Sequence, residues 1–333
     1  DTGSDPATAL ELAKKVRTDG RRFVIGYLSS AELSAIKNYT DTNGMIALSS
    51  GSTAPSLAIP NDSIYRMISD DSAQGQFMAI YIDSAHIRAI IPLWRGDNWG
   101  DGLSNLTLTA FSVRNGVALE GVRYDSGTTD FNATVASLDL LAGTAIKTYG
   151  AESVGIYAVT FNEIGDIMTA AAARPNLSRV RWFGSDGNTL DPTLTGTTPA
   201  ARFAARVNMT GMIWGIPDEY RNSSEILRIK DRLGREPDGS SIALYDALWV
   251  VMEVQEETTE EANQTRLARA LVHHLDTYHG ASADLTPNAA GDRILASYDL
   301  LQVTNGTSGS EWKMIAQIRK GPSDPREEII VYS

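Results

Sequence analysis

The sequence predicts an α/β protein in two domains, its sheets mainly parallel and flanked by helices. Three observations carry this. Short apolar runs alternate with helical stretches along most of the chain, the helices have recognisable start and stop residues, and 333 residues are ample for two cores. No solenoid-length repeat occurs and no low-complexity linker separates two halves, so the chain is expected to cross between its domains more than once.

The elements follow in order. Asp5-Pro6 reads as a helix cap with proline at the first helical position, and Gly20 closes that helix. Phe23–Gly26 is a short buried strand, and Ser29 with Glu32 forms a capping box for the next helix. A strand over Met45–Leu48 runs into the small-residue loop LSSGSTAPSL at 48–57. Ala89–Leu93, Val117–Tyr124, Val154–Val159 and Val180–Phe183 read as strands. Helices are expected over 100–114, from Asp130 to about Tyr149, and over 162–173. Further helices are expected over 218–233, 240–256 and 262–276, then a hairpin of 298–303 and 312–318 around Asn305-Gly306.

Composition excludes several functions. A formal charge of -12 leaves no basic excess for nucleic acid. No apolar run reaches 18 residues, so no membrane span is expected. The start, DTGSDPATAL, lacks the basic head and apolar segment of a signal peptide. The absence of cysteine excludes disulfides, thiolate metal sites and cysteine nucleophiles. The four histidines include His273, His274 and His279, whose spacing invites a metal reading, but a solvated helix end explains them better, as it does the acidic run Glu256–Glu261. No hydrolase elbow, P-loop, dinucleotide fingerprint or zinc-protease motif is present, so no enzyme, cofactor or metal is expected.

Asparagine usage points the other way, to export. Of 15 asparagines, nine stand in Asn-x-Ser/Thr: Asn38, Asn61, Asn105, Asn132, Asn176, Asn208, Asn222, Asn263 and Asn305. Ser plus Thr make up roughly a sixth of the chain, so chance would supply about two or three. The excess predicts an extracellular or periplasmic, N-glycosylated chain.

In open parallel sheets a ligand sits beyond the carboxyl ends of the strands. Three small-residue stretches lie there: Gly26–Ser30, Ser49–Thr53 and Gly184–Gly187. Hydroxyls and exposed amides in that setting suit a carboxylate or phosphate.

The stretches DTGSDPATALELAKKVRTDGRRFVIGYLSS, LSSGSTAPSL, DNWGDGL, DFNATVASL, IYAVTFNEIG, WFGSDG, SIALYDALW and DLLQV stand in the same order as in one known family. The chain resembles the branched-chain amino-acid (Leu/Ile/Val)-binding proteins of ABC transporters, which are type I periplasmic binding proteins or extracellular ligand-binding receptors. The resemblance implies two Rossmann-like lobes joined by three crossings, with ligand held in the cleft by hinge closure. The first lobe would hold 1–70 and 217–296, the second 71–216 and 297–333.

Carried over residue by residue, Ser30 and Thr53 would meet an α-carboxylate, with backbone groups near Gly51. Asp186 would meet the α-ammonium, and Trp99 would close over the ligand from the second lobe. Tyr245 matches another cleft aromatic, while Thr160 and Phe161 share a position whose register is good to one residue. Relatives often carry a disulfide at positions matching Ser4 and Ser29, absent here. The resemblance also implies that about 45–50 residues holding the first two strands are missing from this sequence. The expected function is capture of an amino acid or similar zwitterion for an ABC transporter permease, the chain being tethered to a membrane outside this segment. A sensory-receptor ectodomain is the alternative and an enzyme the remote one. Some relatives pair through the first lobe, which leaves a homodimer open.

Overall fold

The computed structural model describes residues 1–258, 262–320 and 328–331. The end of the acidic run and much of the tail of the expected second lobe lie outside the described residues.

The chain opens with α1 (Pro6–Thr18), β1 (Phe23–Ile25), α2 (Ser30–Thr42), β2 (Ile46–Ser49) and β3 (Ile64–Arg66). It continues with α3 (Asp71–Ser84), β4 (Ala89–Gly96), α4 (Asn98–Val113), β5 (Val117–Ala118), β6 (Val122–Asp125) and α5 (Asn132–Tyr149). Next come β7 (Val154–Val159), α6 (Ile164–Ala171), β8 (Arg181–Gly184), α7 (Pro199–Arg206) and β9 (Thr210–Trp214). Helices α8 (Asp218–Arg221), α9 (Ser224–Leu233), α10 (Gly239–Glu257) and α11 (Gln264–Thr277) precede the short β10 (His279–Gly280) and β11 (Ala283–Asp284). The chain closes with β12 (Ala296–Gly306), β13 (Gly309–Lys320) and β14 (Glu328–Val331).

Two compact units result, one built mainly from Asp1–Asp71 and Trp214–Ser297, the other from Ser72–Ile213 and Tyr298–Ile318. The first holds a parallel sheet ordered β1-β2-β3, registered by Val24 opposite Ala47 and Leu48 opposite Tyr65. Ala9, Ala13, Leu33 and Ile36 from α1 and α2 pack on this sheet with Val24, Ala47 and Ile64. The second holds a sheet ordered β14-β13-β12-β9-β8-β7-β4-β5, with β6 also paired to β4. Its centre, β7 between β4 and β8, is parallel, and all six β7 side chains are buried. A strand covered on both faces reads as a continuous apolar run, which is why VGIYAV shows no alternation.

Local signals account for the element ends. The Asp5 carboxylate accepts from Thr8 N at the start of α1, with Pro6 at the first helical position. Ser29 and Glu32 form the reciprocal capping box of α2. The single strand expected over Val117–Tyr124 is two, because a Cβ on Gly121 would come within 2.1 Å of the Pro92 carbonyl and the chain breaks step there. The helix expected over 218–233 divides at Ser223, whose side chain accepts from Ile226 N and caps α9. Asp130 lies one residue outside the N-cap of α5 and accepts from Asn132 N instead. Helices α3 and α7 and strands β3, β9, β10, β11 and β14 have no counterpart in the sequence reading. No helix among the described residues is long and apolar enough to cross a membrane.

Candidate functional site

In the first unit the candidate residues gather at the carboxyl end of β2. Gly26 and Tyr27 both have positive φ, which folds the chain after β1 so that the Tyr27 carbonyl accepts from Ser49 Oγ at 2.8 Å. Ser49 Oγ in turn accepts from Ser52 N at 3.0 Å. Gly51 is small for packing reasons, since a Cβ there would stand 2.9 Å from the Leu28 carbonyl. Ser30, at the first turn of α2, accepts from Ala54 N at 3.2 Å and shares a 2.9 Å bond with Ser52 Oγ. The hydroxyl expected to meet a ligand is therefore engaged in shaping the loop.

Two hydroxyls in this loop are left over. Ser50 Oγ and Thr53 Oγ1 are both buried and have no partner. A buried unpaired hydroxyl costs about 1–3 kcal/mol. Both follow the carboxyl end of β2. The surrounding backbone is fixed: Thr53 O accepts from Asp71 N at 3.0 Å, and Ala54 O accepts from Arg66 Nη1 at 2.8 Å. Arg66, wholly buried on β3, forms a two-point pair with Asp292 through Nε (2.5 Å) and Nη2 (2.8 Å). Tyr245 is half-buried on α10, its ring edge-on to Trp249, while the adjacent Asp246 accepts from Ala281 N and Ser282 N.

In the second unit the aromatics converge. Trp99 sits in the first turn of α4, which Asp97 caps by accepting from Gly100 N. Its indole stacks on Phe161, centroids 4.4 Å apart and planes 13° from parallel. The Arg95 guanidinium lies 4.9 Å from the centre of the Phe161 ring. Arg95 also donates to Asp97 (2.5 Å) and Glu163 (3.1 Å), and the Tyr124 hydroxyl donates to Glu163 at 2.7 Å. Burial raises the Tyr124 phenol well above its ordinary value, so it stays a donor.

Thr160 plays a different part. Its hydroxyl accepts from Asn188 Nδ2 at 3.0 Å, and the same nitrogen donates to Ala158 O at 2.8 Å. Phe161 is the member of the pair presented to Trp99. Gly187 joins the aromatic pair to the acid, for a Cβ there would lie 2.6 Å from Phe161 Cδ1 and 2.7 Å from Trp99 Cη2. Beside it, Asp186 N donates to Gln74 Oε1 at 2.9 Å, while Asp186 Oδ1 is buried without a partner. Burial pushes the carboxyl up to about 6, against hydrogen bonds from Gln74 and the Gly187 amide that favour the charged form.

Each unit thus holds an unsatisfied group of opposite preference: hydroxyls in one, a carboxylate in the other. The model for the receptor family ligand binding region matches residues 1–306. The chain belongs to that family. It is similar to an uncharacterised protein of Methanocaldococcus jannaschii, 22% identical across 95% of this chain and 77% of that one. The leucine-, isoleucine-, valine-, threonine- and alanine-binding protein of Pseudomonas aeruginosa is 22% identical across 88% of this chain and 74% of its own length. Among solved structures, the leucine-binding protein LivK of Thermotoga maritima shares the fold, with a TM-score of 0.79 at 20% identity. That match covers 97% of this chain and 87% of LivK.

Sequence reasoning missed Arg95, Glu163, Asn188 and Gln74. Glu163 stood in the quoted IYAVTFNEIG, but its partner Arg95 is 68 residues distant, so no local signal could pair them. The histidines are spent locally: His274 lies 2.9 Å from Glu257 and 3.1 Å from Glu253, and His279 lies 2.8 Å from Asp284.

Proposed function

We propose that the chain is an extracellular or periplasmic solute-binding protein that captures an amino acid or similar small zwitterion and delivers it to the permease of an ABC transporter. The observation that carries this is the presence of buried polar atoms without partners in loops that follow strands. Ser50 and Thr53 hydroxyls suit an acid end, and the Asp186 carboxylate suits an amine end. The Trp99–Phe161 stack adds apolar contact for a side chain. The relatives' own ligands point to the same class. The work done is binding alone, with no bond made or broken, and the exposed sequons fit a glycosylated chain.

Isothermal calorimetry tests the proposal with leucine, alanine, isovalerate (no amine) and isobutylamine (no acid). Binding of an amino acid, with the two single-ended analogues much weaker, is the expected result. Absence of binding across a wider amino-acid panel would overturn the ligand class. Undiminished affinity in both Thr53→Val and Asp186→Asn would overturn the site.

A further inference from the structure

The nine sequons do not stand in equivalent surroundings. At Asn222, Asn263 and Asn305 both the asparagine and the hydroxyl residue two positions on (Ser224, Thr265, Thr307) are exposed. Asn222 lies in the turn between α8 and α9, and Asn305 lies beside the tip of the β12–β13 hairpin. Asn263 caps α11 through Oδ1, which accepts from Arg266 N at 2.9 Å, so a substituent on Nδ2 leaves the cap intact. At Asn38, Asn61, Asn105 and Asn208 the asparagine is exposed but Thr40, Ser63, Thr107 and Thr210 are buried, at Asn132 the hydroxyl residue Thr134 is half-buried, and the Ser63 hydroxyl donates to Thr40 Oγ1 at 2.7 Å.

Asn176 is the opposite case. Its Nδ2 donates to Asp139 O at 3.2 Å and to Asp139 Oδ2 at 3.1 Å, while its backbone N–H donates to Asp139 Oδ1 at 3.0 Å. The carbamoyl group lies against α5 where Gly143 has no side chain. A Cβ at Gly143 would stand 2.9 Å from Nδ2. A sugar on this nitrogen would break the staple to Asp139 and overlap the helix.

We infer that Asn222, Asn263 and Asn305 carry N-linked glycans and that Asn176, in a sequon of the same form, stays bare. The inference rests on the reading of the chain as an exported protein. The reaction is ordinary glycosyl transfer. Asparagine Nδ2 displaces the lipid-linked phosphate of an oligosaccharide donor at its anomeric carbon, a C–N bond replaces a C–O bond, and one amide proton is lost. None of the three lies in the loops at 26–30, 49–54, 94–99 or 184–189.

Tandem mass spectrometry of peptides from the protein isolated from its own cells tests this. Sugar mass on the peptides holding Asn222, Asn263 and Asn305, with the Asn176 peptide unmodified, is the expected result. In the Thr307→Ala variant the addition at Asn305 disappears while the other two remain. Any of the three found bare throughout, or a glycan on Asn176, overturns the inference. Nine bare asparagines would also remove the glycoprotein reading, whereas the ligand reading stands or falls separately by calorimetry.

Discussion

Trp99 and Phe161 lie flat against one another, 4.4 Å between ring centres, and the backbone of Gly187 runs against both. A methyl group at Gly187 would have to push the pair apart or shift the Asp186 carboxylate beside it. Gly187→Ala is expected to lower ligand affinity at least tenfold. Phe161→Ala is expected to cost about 0.5–2 kcal/mol of binding through loss of an aromatic face. Calorimetric titration of both variants checks this, and unchanged affinity in both would remove the aromatic pair from the site.

Thr53 separates binding from folding. Its hydroxyl has no partner, so Thr53→Val deletes a buried unsatisfied group while keeping the shape. The unliganded variant is expected to be as stable as the parent, or more so by up to about 1–3 kcal/mol. Ligand affinity is expected to fall by about tenfold or more. Thermal unfolding with and without ligand shows both effects, and a large loss of unliganded stability would contradict the assignment.

Asp186 sets the dependence on pH. The carboxyl is raised from 3.8 to about 6 by burial, so it is charged at pH 7 and becomes neutral below about 6. Affinity for a ligand ammonium should hold between pH 7 and 8 and weaken by up to about tenfold for each unit below 6. For the unliganded fold the sign is reversed. A group bound more tightly to its proton when folded contributes stability fully below about pH 4, and that contribution is lost as pH rises through about 6. Asp186→Asn should remove both trends, measured by titration calorimetry and by urea unfolding at pH 4 and 7.5.

Arg66 and Asp292 hold the loop from behind. Both are buried, and the guanidinium also binds Ala54 O, next to Thr53. Removing one partner strands a buried charge, at about 3–5 kcal/mol. Arg66→Met is expected to shift the urea midpoint down by that amount. The double variant with Asp292→Leu should recover much of it in stability but not in ligand affinity, because the Ala54 carbonyl remains untethered.

Where a feature depends on neighbours in sequence, the residues announce it. The Asp5-Pro6 start, the Ser29/Glu32 box and the buried run VGIYAV each follow from a few adjacent side chains. The division of the 117–125 strand does not, because it depends on Gly121 approaching Pro92 from 29 positions away. The site behaves likewise. Thr53 and Asp186 stand in small-residue loops after strands and can be picked out by composition. The engagement of the Thr160 hydroxyl depends on Asn188, 28 positions away, and has no local signal. Ser30 was legible as a polar residue beside a small-residue loop, but its commitment to Ser52 and Ala54 belongs to the tertiary fold.

On the proposed assignment, the stranded hydroxyls of Ser50 and Thr53 also make the protein a poor host for look-alikes. Their dehydration is built into the fold, whatever arrives. A compound without a hydrogen-bond acceptor at that end, such as a simple alkylamine, would leave both hydroxyls unpaired and gain nothing from the loop. Sites that demand a hydrogen-bonding group reject analogues lacking it by factors of about 10⁴, far beyond what a missing methylene achieves. Such discrimination arises from want rather than from collision, so widening the binding region would not relax it.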